Sequence, residues 1–451
     1  MINDGYAFMD DTEQEKMQEE RANRINSERR DIPIEDSLAL FEEMLQGEEG
    51  WCLRAKIDMQ SNNGCMRDPV LFRANKTPHH RTGTKYLAYP TYDFACPIVD
   101  SIEGVSHALR TTEYNDRDFQ YKWLQEAMGL RIVKIRAFSR ISFIYTLMSK
   151  RKLNWFVENR MVEGWHDPRF PTIQGLIRRG VSIDALREFI LSQGASRRVV
   201  NMEWDVFWAA NKKVYEPTAA RYMGIPQAKS VLLEITNFDE SESGETVKMI
   251  QVHPKDPQFG MRPLRLSNRV VLEVDDAMKM KEGKGIVLMR WGGVMINEIV
   301  KQTKVTDTEE GKGGPSDGEA EEEIVILRGE LSDTVNIKKA PKVSWLADTN
   351  DKVAFKLVEF GHLITKAKLE DGDDFLDYVN HNSRAESLAW GDACLRHLRT
   401  GDVIQLERRG FYRVDSPHIQ DGDGEPSLEL FLIPDGKTKA MSTLTSSLDH
   451  I

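Results

Sequence analysis

The spacing of apolar positions changes character along the chain. Residues 13–30 are charged, with few apolar positions, and read as an exposed helix. Residues 35–45 place Leu38, Leu40, Phe41 and Leu45 at amphipathic helical spacing. Residues 52–59 then alternate. Leu53, Ala55 and Ile57 face one way and Arg54, Lys56 and Asp58 the other, the period of a half-buried strand. The segment 86–91 reads as a strand. Asp116 is placed to cap a helix carrying Phe119, Trp123 and Ala127 on one face, with Gly129 at its end. With 131–135 as a second strand, this is a strand–helix–strand unit compatible with part of a doubly wound sheet. Two strands are too few for such a sheet, and the sequence does not supply the others.

Residues 154–215 are helical in pattern. Ser182 stands where it caps a helix with Ile183, Leu186, Phe189 and Ile190 inward and Gly194 at its end. Residues 202–213, with Trp204, Phe207 and Trp208, form another. From about residue 230 the pattern becomes β-rich: 231–235, 270–274, 285–291, 324–328, 343–346, 353–360, 403–407, 410–414 and 428–433 read as short strands. Many short strands punctuated by turn signals point to barrels or sandwiches. The glycine- and acid-rich stretch 306–323 is expected to be a disordered loop between two strands.

At 451 residues the chain is long enough for two to four domains. Its 40% hydrophobic and 29% charged content is that of a soluble globular protein, and no apolar run approaches the roughly 18 residues that span a bilayer. The polar, acidic N-terminus reads as no signal peptide. The four cysteines, Cys52, Cys65, Cys96 and Cys394, form no C-x-x-C pair. That argues against a zinc ribbon, a structural metal or a disulfide framework, and for a reducing, cytoplasmic setting. The net charge of −11 weighs against nucleic-acid binding. Basic clusters nevertheless occur at 150–152, 178–179, 197–198, 262–269 and 408–409, and such a cluster is either a phosphate site or solvated surface.

One of these clusters carries candidate chemistry. Met148-Ser149-Lys150-Arg151-Lys152 offers a hydroxyl and three cations at the start of a helix, a composition suited to a polyphosphate whose charge grows on the leaving group. It follows Phe138-Ser139-Arg140-Ile141 and precedes Glu163-Gly164-Trp165-His166-Asp167-Pro168-Arg169-Phe170-Pro171-Thr172. Upstream stand Leu53-Arg54-Ala55-Lys56-Ile57-Asp58-Met59, Met66-Arg67-Asp68-Pro69-Val70, Tyr89-Pro90-Thr91-Tyr92-Asp93-Phe94 and Asp100-Ser101-Ile102-Glu103-Gly104-Val105-Ser106-His107. Together these segments resemble the class I glutamyl-tRNA synthetases of the eukaryotic and archaeal type over nearly the whole chain. Leu147 replaces the first lysine of the usual Lys-Met-Ser-Lys-Ser signature, and His166 replaces an aspartate common in that family.

The resemblance implies a multidomain α/β plus all-β fold. It would have an acceptor-end-binding insertion at 1–88 and the second half of the class I nucleotide-binding (Rossmann-like) fold at 89–140. A helical region with the ATP loop would follow at 141–222, and tandem anticodon-binding β-barrels at 223–451. It implies ATP contacts at Thr111, Glu113, Arg140, Ile141, Met148, Ser149, Lys150, Arg151 and Lys152, with Lys150 carrying most of the pyrophosphate stabilisation. Glutamate would be bound by Tyr92, Cys96 and Arg110. A guanidinium at 110 pairs with a carboxylate and serves neutral glutamine poorly, and cysteine at 96 matches the glutamyl rather than the glutaminyl branch. The implied partners are ATP with Mg2+, L-glutamate and tRNA(Glu), with other synthetases or a scaffold protein left open. No two histidines stand three residues apart, so the first class I signature, His-Ile-Gly-His, is missing, and an N-terminally truncated chain is expected. Two rival readings stay open here: a glutaminyl-tRNA synthetase, and a non-catalytic tRNA-binding fragment.

Overall fold

The computed structural model describes residues 1–239, 246–304, 321–419 and 425–436. Two compact units emerge, Met1–Ile141 with Ala195–Val200 and Ser142–Gly194 with Asn201–Ile451.

In the first unit a four-stranded antiparallel sheet runs in the order Ala7–Asp10, Cys52–Ala55, Val70–Ala74, Ala88–Pro90. The helix Ile34–Leu45 packs Leu40, Phe41 and Leu45 into a core with Met9, Leu53, Leu71 and Leu124, as its apolar spacing predicts, but Met44 is buried with them and Leu38 is exposed. The alternation of the second strand is only half as expected. Leu53 and Ala55 are in the core, but Arg54, read as solvent-facing, is fully buried. It can be buried because Asp10 and the carbonyl of Asp68 accept its protons, at 2.5 and 2.8 Å. The charged helix expected over 13–30 is shorter, Gln14–Asn23, and stops where Arg24 turns left-handed at φ 61°.

A strand–helix–strand unit is present, but its first strand is His107–Thr111 rather than 86–91. It pairs in parallel with Lys134–Phe138, with the helix Asp118–Ala127 between them. The segment Ala88–Pro90 instead closes the antiparallel sheet. Five residues in which His107 and Arg110 interrupt the apolar positions do not read as a buried parallel strand, which usually shows a continuous apolar run. The crossover helix is also rotated from the expected face. Gln120, Tyr121, Leu124 and Gln125 are buried, whereas Phe119 is 66% exposed. The expected strand 131–135 begins three residues late, because Val133 is held by the Gln125 side chain and packs with Ala108 and Tyr121.

The second unit begins with four helices, Lys150–Glu158, Ile173–Arg178, Ile183–Gln193 and Trp204–Tyr215. In the third, Phe189 is buried and Gly194 ends the helix at φ 65°, but Ile183 and Ile190 point outward. Two seven-stranded sheets follow. In one, Lys342–Val343 pairs with Gly285–Leu288 and Trp345–Ala347 pairs with Arg269–Glu273. A single segment, broken at Ser344, therefore borders both edges of the sheet. In the other, Ala220–Tyr222 pairs with Val403–Leu406 and Gly224–Pro226 pairs with Arg384–Gly391, with Met223 at the break. Each sheet is closed on itself in this way, so neither presents a long open edge. The second sheet takes strands from before and after the first, so one barrel is inserted into the other. The pattern missed the strands Gly292–Lys304 and Arg384–Gly391 and the hairpin Val247–Gln251 with Met261–Arg265. The loop expected over 306–323 lies outside the described residues except for 321–323, which belong to the strand Glu321–Leu331.

Candidate active site

Alternation along His107–Thr111 turns Ala108 and Arg110 inward. The Arg110 side chain, for which the resemblance implies a substrate role, is 9% exposed. Its Nη2 donates to the hydroxyl of Tyr92 at 3.3 Å. Its guanidinium lies 4.5 Å from the ring centre of Tyr114, 5.3 Å from Tyr121 and 5.6 Å from Tyr92. Three of the acids nearby are engaged elsewhere, while Asp118 feels the charge of Arg110 without pairing with it. Asp100 accepts from the hydroxyl of Tyr121 at 2.7 Å and from Cys96 at 3.5 Å, Asp93 pairs with Arg117 at 2.9 Å, and Glu113 pairs with Arg140 at 2.9 Å. Among the described residues Arg110 forms no ion pair. A guanidinium kept from water, faced by aromatic rings and without a bonded carboxylate has the chemistry to receive a planar anion.

The structure brings Tyr92, Cys96 and Arg110 together. Tyr92 opens the helix Tyr92–Ile102, and Cys96 lies one turn on, 3.5 Å from its hydroxyl. That hydrogen bond, with partial burial, raises the pKa of Tyr92, and burial raises that of Cys96, so both stay neutral near pH 7. Burial, then the bond to Asp100, likewise holds Tyr121 protonated. Tyr114 and Tyr121 were not identified from sequence. Their only signal is a tyrosine four residues beyond Arg110 and a second on the inward face of the next helix.

Of the residues matched to ATP, Thr111, Glu113 and Arg140 also form one group: Thr111 donates to Glu113 at 3.4 Å and Glu113 pairs with Arg140. Ile141 follows, half-buried. Met148, Ser149, Lys150, Arg151 and Lys152 belong to the second unit. There Ser149 is the N-cap of Lys150–Glu158, its hydroxyl making no capping bond, so hydroxyl and helix start are both free for an anion. Met148, Lys150 and Arg151 are exposed, while Lys152 rests 5.5 Å above the ring centre of Phe375. Leu147 and Leu153 anchor the loop in a core with Phe156, Phe170, Leu363 and Ile364.

Arg197 and Arg198 are exposed, whereas most of the other basic clusters are taken up in internal pairs or buried. Arg178 forms a two-pronged pair with Asp415 at 2.7 and 2.8 Å, and Arg179 is buried. Arg262 pairs with Asp392 at 3.0 Å, Arg408 with Asp276, and Arg409 with Glu273 at 3.3 Å. Among the described residues no group of three or more His, Cys, Asp or Glu could hold a metal ion, and no helix is long and apolar enough to cross a membrane.

Family models described as tRNA synthetases class I (E and Q) match this chain in three stretches: the catalytic domain over residues 1–217 and anticodon-binding domains over 219–311 and 342–415. The chain belongs to this family, with a class I catalytic domain followed by two anticodon-binding domains built on near-closed sheets. It is 45% identical to the bifunctional glutamate/proline–tRNA ligase of Cricetulus griseus over 98% of its own length and 28% of that protein. It is 43% identical to the cytoplasmic glutamate–tRNA ligase of Arabidopsis thaliana and 44% identical to that of Saccharomyces cerevisiae, over 97% of its length and 58% of theirs. The chain therefore spans between about a quarter and three-fifths of the length of these relatives.

Proposed function

We propose that this chain is the part of a cytoplasmic glutamate–tRNA ligase that selects L-glutamate, grips the ATP polyphosphate and binds tRNA(Glu). The observation that carries this reading is Arg110, a buried guanidinium with no ion pair among the described residues. A glutamate side chain supplies the carboxylate it lacks; a neutral glutamine amide leaves the charge uncompensated. This disfavours the glutaminyl reading. Tyr92 and Cys96 flank the bound amino acid. Thr111 and Glu113 serve the ribose, Arg140 and Ile141 the adenine, and Met148–Ser149–Lys150–Arg151–Lys152 the phosphates. ATP arrives as its Mg2+ complex, a mode usual for this ion, which keeps several waters and binds largely through substrate phosphates.

The reaction has two steps. The α-carboxylate of glutamate attacks the α-phosphorus of ATP, and pyrophosphate leaves to give glutamyl-adenylate. A ribose hydroxyl of the 3′-terminal adenosine then attacks the acyl carbon, and AMP leaves. No covalent enzyme intermediate is needed, because positioning and charge stabilisation carry the rate. In the division we assign, 1–88 serves the acceptor end, 89–140 the nucleotide, 141–222 the ATP loop, and 223–451 the anticodon. Other synthetases or a scaffold protein complete the partner set of this reading. Filter binding of tRNA run beside ATP–pyrophosphate exchange by the complete enzyme, with glutamate and with glutamine, tests it. Binding with glutamate-selective exchange supports the ligase. Binding without exchange under either amino acid supports a tRNA-binding module.

A further inference from the structure

A small cavity of about 30 Å³ lies in the second unit beneath the loop Met148–Lys152. Leu147 and Leu153, on either side of that loop, line it together with Tyr145, His362, Arg179 and Trp208. Arg179 is 6% exposed and Trp208 almost completely buried. Arg179 gives one Nη2 proton to the carbonyl of Phe360 at 2.6 Å, but its Nε has no partner among the described residues, and neither has Nε1 of Trp208. The guanidinium lies 5.7 Å from the ring centre of Trp208 and 5.9 Å from that of Phe360. The acid that most stabilises its charge, Asp167, is committed to Arg169 through bonds of 2.9 and 2.8 Å.

We propose that this cavity binds one small monovalent anion of the halide class, held by Arg179 Nε and Trp208 Nε1. A buried donor without an acceptor is costly, and a buried charge without a counter-charge more so. A cavity of this size has room for a water-sized particle. Water in it satisfies the two donors and leaves the charge; an anion answers both. Burial pushes the pKa of His362 down to about 3, so the imidazole on the cavity wall is neutral; Arg169 also lines the cavity but is paired with Asp167 at 2.8 Å, which leaves Arg179 as the cation there without a bonded carboxylate. The occupied cavity stiffens the floor on which the loop stands, through Leu147 and Leu153.

The test uses the full chain. Crystals grown in sodium bromide and measured at the bromine edge are expected to give an anomalous peak in contact with both nitrogens. In solution, chloride titrated against gluconate at constant ionic strength is expected to raise the Tm saturably. Trp208→Phe keeps a six-membered aromatic ring, removes the donor and is expected to lose that chloride-dependent part. Density without anomalous signal means water and overturns the proposal. So does a peak in the crystal with no saturable response in solution, or a response unchanged in Trp208→Phe. If that variant fails to fold, the bromide map and the wild-type titration decide.

Discussion

Arg54 reaches across the N-terminal sheet to Asp10, its Nη1 standing 2.5 Å from Oδ2, and neither side chain meets solvent. Thr12 and Ser27 donate to the other oxygen of Asp10, at 2.6 and 3.0 Å, and Asp68 accepts from Arg54 through its carbonyl. Removing one partner of such a pair strands the other. Asp10→Asn is expected to lower stability by about 3–5 kcal/mol. Replacing both partners, Asp10→Leu with Arg54→Met, is expected to recover much of that loss. Chemical denaturation of the two variants beside the parent checks both.

The same pair makes the unit acid-sensitive. Burial pushes the carboxyl of Asp10 up, but hydrogen bonds from Thr12 and Arg54 together outweigh it, and the pKa lies below the ordinary 3.8. Asp167 is lowered in the same way, burial being overcome by Arg169. A depressed folded-state pKa contributes stability that is present above the unfolded value and is lost as pH falls through the folded one. The denaturation midpoint is therefore expected to fall steeply below about pH 4. Asp10→Asn is expected to flatten that slope. Equal slopes in variant and parent would remove Asp10 from the linkage.

Closure of the first barrel depends on the segment around Ser344. Trp345, next along it, is fully buried, donates its Nε1 proton to the carbonyl of Met289 at 2.8 Å and packs against Trp291, the ring centres 4.9 Å apart and the planes tilted by 39°. Trp345→Ala is expected to cost about 3–5 kcal/mol, read as a lower Tm or denaturation midpoint.

Lys150 is exposed at a helix start, with no ion pair among the described residues. In the complete enzyme Lys150→Ala is expected to remove about 3 kcal/mol of transition-state stabilisation, roughly a hundredfold or more in glutamate-dependent exchange. Glutamate affinity is expected to stay near the parent value. Near-normal exchange would take Lys150 out of the mechanism.

Local pattern made some of this architecture legible. The helix Ile34–Leu45 and the strand Val353–Phe360 stand where apolar spacing puts them, because one buried face dictates each. Barrel closure was not legible. Ala220–Tyr222, Gly224–Pro226 and Lys342–Val343 are two or three residues long and paired with strands far away in sequence, so no window shows their period. Gly292–Lys304 opens on two glycines, which weaken any strand reading, and is defined instead by its long ladder with Glu321–Leu331. At the candidate site the loop motif was readable as a contiguous string. Of the rings around Arg110, the resemblance supplied Tyr92 but not Tyr114 and Tyr121, since the three come from separate elements and meet only through packing. Arg54 and Arg179 misled for the opposite reason: a charged residue reads as surface until its buried partners are in place.

In the function we propose, Arg110 recognises the substrate's side-chain carboxylate. The most direct test is ATP–pyrophosphate exchange by the complete enzyme and its Arg110→Gln variant, with tRNA present, across concentrations of glutamate and of glutamine. The account predicts that the parent prefers glutamate. It also predicts that the variant loses about a hundredfold or more in kcat/KM for glutamate, as expected when a buried charge-assisted pair is broken, and loses nothing for glutamine. Glutamate-dependent exchange within a few-fold of the parent, or an equal loss for both amino acids, would contradict it.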